Sequence, residues 1–237
     1  MTYTLTSRTS LKGSFSDTGD ALLFSIAVDD GDYFSLKLRS KNSWPLVSIE
    51  TQTGVDVLEP SAYNRNKAST ALVDPENFSN VSFVARVSNQ LGSNSRFRLK
   101  INNLGNLDDI RDDVIRFTNK KRRKFGLDPL SGESLLHDAA QAHVDDMDAV
   151  GRYLGHVSSD GGGMRDRIDA TGYSWSSIRE NAASGQFSAK EVVRGWMKSP
   201  GHRANILADD ISDIGVGFAV DDQTGATYWI QKFANPL

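Results

Sequence analysis

Three residues with chemically useful side chains lie in the second half of the chain, each in its own sequence context. His156 occurs in G-H-V-S-S-D-G-G-G-M-R-D-R-I, Glu180 in R-E-N-A-A-S-G, and His202 in W-M-K-S-P-G-H-R-A-N-I-L. Two imidazoles and a carboxylate can bind a metal ion or share protons in acid–base chemistry. Their wide spacing excludes a single-helix H-E-x-x-H motif, so the fold must assemble any site that uses them.

The composition limits the classes of protein to which the chain can belong. Its 237 residues suit one large domain or two modest ones, and 38% hydrophobic residues is typical of a globular protein. The net charge of −3 argues against nucleic acid as the main partner. No apolar run approaches the ~20 residues that cross a bilayer. Because the chain has no cysteine, a metal site is limited to histidine, carboxylate and water.

The N-terminus, M-T-Y-T-L-T-S-R-T-S, lacks the charged and apolar regions of a secretory signal peptide. Three explanations stay open. A leader lies outside this sequence, export uses another route, or the protein stays inside the cell.

Before residues 102–106, apolar and polar residues alternate, which is the period of a half-buried strand. Four runs have this pattern: Leu22, Phe24, Ile26 and Val28; Phe34, Leu36 and Leu38; Val81, Phe83, Ala85 and Val87; Phe97, Leu99 and Ile101. Turn-forming residues at 29–32 and 90–94 separate some of these runs. We expect an antiparallel β-sandwich of roughly 100 residues.

After residues 102–106 the period becomes helical. Two apolar sets mark the first two helices: Leu107, Ile110, Val114 and Phe117; Leu135, Leu136, Ala139, Ala142, His143 and Met147. His137 and His143 are too far apart for an i, i+4 pair, so we place them in the core or on the helix surface. A capping box at 188–191 opens a third helix, which Pro200 ends, and strands follow at 214–220 and 227–233.

The motifs, taken in order, resemble the bacterial branch of the CAP (SCP/PR-1-like) superfamily. The resemblance covers about residues 107–233 and includes an opening motif carried by Asn119, Arg123, Gly126-Leu127 and Pro129-Leu130. It implies an α-β-α sandwich in which His156 and His202 face each other across a cleft, with Glu180 between or beneath them. Two imidazoles make a ready site for Zn²⁺, which is the candidate metal, and a carboxylate neighbour such as Glu180 can fix the tautomer of a histidine.

The chain departs from the family pattern at one position. Animal and plant members usually carry a second glutamate on the helix before the second histidine, where this sequence has Ser199. We therefore expect a His-Glu-His triad rather than a site with two carboxylates.

The N-terminal half is similar to the bacterial pre-peptidase C-terminal (PPC-like) β-sandwich. The similarity lies in L-K-G-S-F-S-D-T-G-D-A-L-L-F-S-I-A-V-D-D-G and in the closing strand R-F-R-L-K-I. Leu22 stands where that family often has an acidic or polar residue.

We predict an α+β protein with a β-sandwich domain at 1–103 and a CAP domain at 107–237. In one hypothesis, the CAP cleft binds a metal ion, lipid, glycan or peptide, and the β-sandwich attaches to a surface or partner. In the other, His156, Glu180 and His202 are the catalytic residues of a metal-assisted or histidine-based hydrolase. The missing second glutamate and the lack of an identifiable nucleophile favour binding. The resemblance predicts an extracellular or cell-surface location, and we expect a monomer.

Overall fold

The computed structural model describes residues 3–6, 10–15, 21–29, 31–41, 44–51, 56–58, 60–64, 67–70, 72–73, 82–90, 95–221 and 224–237. The chain divides into two compact units, Met1–Asn106 and Leu107–Leu237. Some predictions fall outside the described residues: Val81, parts of the predicted turns at 30 and 91–94, and residues 16–20 of the PPC-like pattern. No described helix is both long and apolar enough to cross a membrane.

The N-terminal unit is a β-sandwich, as the alternating pattern predicts. The strands among its described residues are β1 (Tyr3–Thr6), β2 (Ser10–Ser14), β3 (Ala21–Ala27), β4 (Tyr33–Ser40), β5 (Pro45–Thr51), β6 (Asp56–Leu58), β7 (Pro60–Asn64), β8 (Lys67–Thr70), β9 (Phe83–Asn89) and β10 (Arg96–Gly105). They form two five-stranded sheets in the orders β1-β3-β9-β5-β6 and β2-β10-β4-β8-β7. One pair departs from the antiparallel prediction, because β1 runs parallel to β3.

A single apolar core joins the inner faces of the two sheets. It contains residues from both of them: Phe24, Ile26, Phe34, Leu36, Leu38, Val47, Ile49, Phe83, Ala85, Val87, Phe97, Leu99 and Ile101. These positions alternate along each strand with residues that point outward, since successive side chains of a strand lie on opposite faces. The period of two that is visible in the sequence is therefore the period of burial.

The C-terminal unit mixes helices with one sheet. Its elements are α1 (Leu107–Lys124), β11 (Ser131–Gly132), α2 (Ser134–Ala149), α3 (Met164–Ala170), β12 (Trp175–Ser184), α4 (Ala189–Trp196), α5 (Pro200–Ile206), β13 (Asp213–Val220) and β14 (Thr227–Pro236). The sheet order is β11-β13-β14-β12, and its long strands pair antiparallel.

Helices cover both faces of this sheet. On β14, Ile230 belongs to one buried cluster with Ala140 of α2, whereas the next side chain, Gln231, donates to Thr118 of α1 at 2.7 Å. Because successive side chains of a strand point to opposite faces, α1 and α2 lie on opposite faces of the sheet. The expected α-β-α layering, and with it the α+β fold class, is confirmed.

The segment around Pro200 corrects the helix prediction. Helix α4 ends at Trp196, and Pro200 does not merely stop a helix but is the first residue of α5, which carries His202. Proline suits the first position of a helix because the N–H that it lacks would have no intrahelical partner there.

The capping box is formed only in part. The Ser188 hydroxyl accepts a hydrogen bond from the Glu191 backbone N–H, as predicted. The Glu191 carboxylate, however, accepts from the backbone N–H of Phe187 rather than from that of Ser188.

The arginine of the opening motif is Arg122 and not Arg123. The Arg122 side chain is buried and donates to the backbone oxygens of Asp128, Ile206 and Ala208 at 2.7–2.9 Å, whereas Arg123 is exposed. The prediction of Arg123 was wrong, since an N-x-x-R spacing counted from Asn119 falls on Arg122.

We expect residues 107–237, expressed alone, to give a soluble domain that melts cooperatively. The unit has its own buried clusters where α2 packs on the sheet, so its apolar faces are covered without the β-sandwich. Circular dichroism during heating, compared with the intact chain, measures this. An aggregated fragment without a cooperative transition would show instead that the β-sandwich completes its core.

Candidate functional site

Glu180 is the centre of a buried cluster of charged side chains. It lies on β12, directly opposite Lys232 on β14, and its side chain is 2% exposed. The Lys232 ammonium, fully buried, donates to Oε2 at 2.5 Å. Arg167 of α3 donates from Nη2 to both carboxylate oxygens, at 3.0 and 3.3 Å. A buried carboxylate therefore has two cationic partners from two other elements.

His156 binds the same carboxylate from the exposed side. Its Nδ1 lies 2.8 Å from Glu180 Oε1, while its side chain is 54% exposed. An ionised carboxylate only accepts hydrogen bonds, so Nδ1 carries the proton and donates. In the neutral ring Nε2 then keeps its lone pair, which is the tautomer that can bind a metal ion or accept a proton.

The loop before His156 is held by two further contacts. His143 of α2 is fully buried, and its Nε2 lies 2.9 Å from the backbone oxygen of Gly155. Arg167 donates from Nη2 to the backbone oxygen of His156 at 3.1 Å. Gly155 has φ of +71°, a conformation that favours glycine, so the glycine of the G-H motif is needed for this turn. The backbone at His156 is therefore held by α2 and α3, and its ring is oriented by Glu180 of β12.

The electrostatics of the cluster keep Glu180 ionised. Burial by itself raises the pKa of Glu180, but the hydrogen bond from His156 and the charges of Lys232 and Arg167 lower it to about 2. Burial lowers the pKa of Lys232 to about 8, against the opposing effect of Glu180. At neutral pH the carboxylate is charged and accepts hydrogen bonds from all three side chains.

His202 approaches the site from α5. Its backbone oxygen accepts from Asn181 Nδ2 at 3.2 Å, and Asn205 of the same helix donates to the backbone oxygen of Glu180 at 2.9 Å. These two hydrogen bonds from asparagine side chains connect α5 to β12. Burial, and after it the charge of His156, lower the pKa of His202, so the two imidazoles are within electrostatic reach of each other. Among the described residues, no side-chain hydrogen bond engages the His202 ring.

Two imidazoles of this region have ring nitrogens that could bind a metal ion. His156 Nε2 and the ring nitrogens of His202 are available, whereas both oxygens of Glu180 are occupied by cations and by Nδ1 of His156. Within the described part of the chain, no group of three histidines or carboxylates is arranged to hold an ion. The arrangement favours Glu180 as the residue that orients His156 rather than as a ligand.

Sequence reasoning did not identify Arg167 and Lys232. Arg167 occurs in the motif of His156, and Lys232 lies in the strand predicted at 227–233, where it was a usable signal. Lys232 interrupts an apolar strand, and a charge at such a position is rarely buried without a partner. The strand β12 itself was also missed, since Glu180 occupies an inward position between Ile178 and Ala182 and breaks the apolar alternation.

The remaining candidate residues have structural partners. His137 accepts from the backbone N–H of Val216 at 3.0 Å, which joins α2 to β13. Ser158 accepts from Arg167, and Ser159 donates to Asp146. No serine hydroxyl hydrogen-bonds to an imidazole among the residues that the structure describes.

Comparisons with known proteins concern mainly the C-terminal unit. The model of the cysteine-rich secretory protein (CAP) family matches residues 115–233. The chain is 38% identical over 120 residues to uncharacterized protein YkwD of Bacillus subtilis (strain 168), covering 51% of this chain and 45% of that protein. It is 32% identical over 120 residues to the membrane protein YlbC of the same organism, covering 51% of this chain and 33% of YlbC. The chain thus aligns with less than half the length of either relative.

Two solved structures show a weaker likeness. An extracellular protein containing an SCP domain from Bacillus anthracis str. Ames is 21% identical, with a TM-score of 0.49, covering 70% of this chain and 56% of that chain. An outer surface protein from Borrelia burgdorferi is also 21% identical with a TM-score of 0.49, covering 53% of this chain and 94% of that one. Since the family model matches half of the sequence, this chain belongs to the cysteine-rich secretory protein (CAP) family.

Proposed function

We propose that this chain is an extracellular or cell-surface CAP protein whose cleft binds a divalent metal ion or a small ligand through His156 and His202. In this proposal the β-sandwich, whose PPC-like character stays a prediction, is an attachment module. The observation that carries the proposal is the contact between His156 Nδ1 and the buried Glu180, which leaves Nε2 free on the exposed side of the ring.

The chemistry of the cluster supports a binding role for the two imidazoles. A carboxylate that accepts from one ring nitrogen orients the ring and makes the other nitrogen a better donor to a metal. Arg167 and Lys232 hold Glu180 in place and ionised, so this orientation persists over a wide pH range. Two nitrogen ligands leave coordination positions for water or for an oxygen of a ligand, and Zn²⁺ accepts such a set.

Binding is favoured over hydrolysis because Glu180 is a poor general base. Its pKa of about 2 and its cationic partners leave it little tendency to take a proton. The hydrolase hypothesis also lacks an identified nucleophile. Ser158 accepts from Arg167 and Ser159 donates to Asp146, and no described serine hydroxyl hydrogen-bonds to an imidazole.

Exposed apolar side chains near His156 indicate what kind of ligand would suit the cleft. Val157 is 52% exposed and Tyr153 is 45% exposed. Burial raises the pKa of Tyr153, and so does the charge of Glu180, which places the phenol within reach of the cluster. A lipid, glycan or peptide that presents both an apolar and a metal-binding group would use both features.

We expect Zn²⁺ to bind the intact protein weakly, and either His156→Ala or His202→Ala to abolish binding. Each variant removes one of the two protein nitrogens. Affinity should also fall at acidic pH, because protons compete for the ring nitrogens. Isothermal titration calorimetry measures both effects. His137→Gln is the matched control, because it removes an imidazole outside the cleft and should leave binding unchanged. Equal zinc binding by wild type and the double His→Ala variant would place the ion elsewhere.

A further inference from the structure

The outer face of one sheet of the β-sandwich carries a row of four cations, one on each of four neighbouring strands. Lys12 on β2 lies opposite Arg98 on β10, Arg98 lies opposite Arg39 on β4, and Arg39 lies opposite Lys67 on β8. All four are exposed, whereas the residues beside them in sequence, such as Leu99 and Leu38, point into the core. Directly paired residues share a face of the sheet. We call Lys12, Arg98, Arg39 and Lys67 the basic row.

Further cations extend this face beyond the basic row. Lys100 on β10 lies opposite Lys37 on β4, and Arg96 is the outward residue before Arg98. None of these seven side chains forms an ion pair within the described part of the chain, where Arg86–Glu50 is the ion pair of the N-terminal unit. The whole chain has a net charge of −3, so the positive face does not result from a basic composition.

The arrangement opposes stability and therefore needs another explanation. Like charges directly opposite each other on neighbouring strands destabilise a sheet. Acidic residues at alternate positions of the basic row would replace this repulsion by attraction. The three consecutive pairs of the row are nevertheless all cation–cation pairs. Binding of an anion that bridges the strands would offset the repulsion.

The spacing of the cations suits an extended anionic chain. Neighbouring strands lie ~4.8 Å apart, so the basic row extends over roughly 14 Å, and the next cations along a strand follow at ~6.8 Å. Arginine forks and lysine ammonium groups both bind phosphate oxygens strongly. A polymer with regularly repeated phosphates can contact several of these cations together.

The other side chains on this face distinguish between kinds of anionic partner. Besides the cations, the described side chains on this face include the polar Ser10, Ser14, Ser35 and Asn102, and Tyr33, which is only 5% exposed. Among the described residues, no exposed aromatic or large apolar side chain lies on these four strands, so the face has none on which a nucleobase would stack or that would enter a lipid bilayer. The partner that suits this face is therefore a flexible polymer that is recognised through its charge.

We infer that the outer face of the sheet β2-β10-β4-β8 binds a linear, non-nucleotide polymer that carries a phosphate group in each repeat. The inference rests on the proposed function, because it gives the attachment module a partner chemistry. It adds a second binding site that is independent of His156 and His202.

Binding of long-chain inorganic polyphosphate to the full chain, measured at several salt concentrations, tests the inference. If the four cations of the basic row are neutralised on binding, affinity should fall roughly 50- to 150-fold between 50 and 200 mM salt. In Arg39→Gln/Arg98→Gln, with two cations left in the row, the fall should be only roughly 7- to 12-fold. The melting temperature of this variant should not decrease, since facing like charges have been removed.

The control variant Lys190→Gln/Lys198→Gln has the same net charge but changes exposed cations of the C-terminal unit. It should retain the wild-type salt dependence. An unchanged salt dependence in Arg39→Gln/Arg98→Gln would overturn the inference. Tighter binding to oligo(dT), polyglutamate or phosphatidylglycerol vesicles than to polyphosphate would also overturn it. Zinc titration of the same variants separates the two proposals. If the cleft does not bind zinc, binding of polyphosphate is unaffected. If the basic row does not bind polyphosphate, binding of zinc is unaffected.

Discussion

Replacing Glu180 by Gln is expected to lower the free energy of unfolding by about 3–5 kcal/mol, because it leaves buried cations without their carboxylate. The neutral amide keeps the shape of the side chain but not its charge. Arg167 and Lys232 would then lie in the interior with like charges and no counter-ion. Urea denaturation of the wild type and Glu180→Gln measures the difference.

The matched control for this substitution is Asp210→Asn. Asp210 accepts two hydrogen bonds from Arg179 at 2.7 Å, and the carboxylate side chain is 49% exposed. An exposed pair contributes at most about 1 kcal/mol, so Asp210→Asn should have a small effect. If Glu180→Gln were equally mild, the buried cluster would not stabilise the fold, and Lys232 would have to lose its proton when Glu180 is neutralised.

The pH dependence of stability gives the Glu180 variant a second signature. The pKa of Glu180 is lowered from 4.5 in the unfolded chain to about 2 in the folded one. Between these values the unfolded chain binds a proton that the folded chain does not, so stability decreases as the pH falls. Wild type should therefore lose more stability than Glu180→Gln between pH 4.5 and 2. If wild type and Glu180→Gln lost equal stability over this pH range, the lowered pKa of Glu180 in the folded protein would be contradicted.

Replacing Gly215 by Ala is expected to lower the free energy of unfolding by about 3 kcal/mol or more. Gly215 lies on β13 under α2, and a Cβ atom there would overlap the backbone carbonyl of Leu136. A Cβ atom at Gly217 would overlap the backbone of Ala140 in the same way. Because the obstacle is helix backbone rather than a side chain that can rotate, the helix and the strand would have to separate. His143, which holds the loop before His156, lies on that helix.

The control is Gly195→Ala, which should raise the free energy of unfolding by up to about 1 kcal/mol. Gly195 lies in α4, is exposed, and has nothing within 4 Å of its added Cβ atom. Alanine restricts the unfolded chain and suits a helix better than glycine does. Thermal melts of the two variants should shift in opposite directions. A Gly215→Ala protein as stable as wild type would mean that α2 does not approach β13 this closely.

The periodicity of the sequence was sufficient to predict nine of the described elements: β3, β4, β9, β10, α1, α2, α4, β13 and β14. The alternation through Phe34, Leu36 and Leu38 identified a strand, and the spacing of Leu107, Ile110 and Val114 identified a helix. These signals are local, because burial of one face follows directly from the repeat of the strand or helix. They failed at β12, where an inward glutamate replaces an apolar residue, and at Pro200, which can end one helix or begin another.

The candidate site was predictable only as a set of positions. Motif order singled out His156, Glu180 and His202, but Glu180 has its cationic partners 13 residues before it and 52 residues after it. Such contacts depend on sheet register and helix placement, which no local pattern encodes. The basic row has the same origin, since Lys12, Arg98, Arg39 and Lys67 become neighbours only when four strands pair. Residue types and their periods follow from the sequence, whereas burial and the distances between charges, on which pKa and binding depend, arise only when distant segments meet.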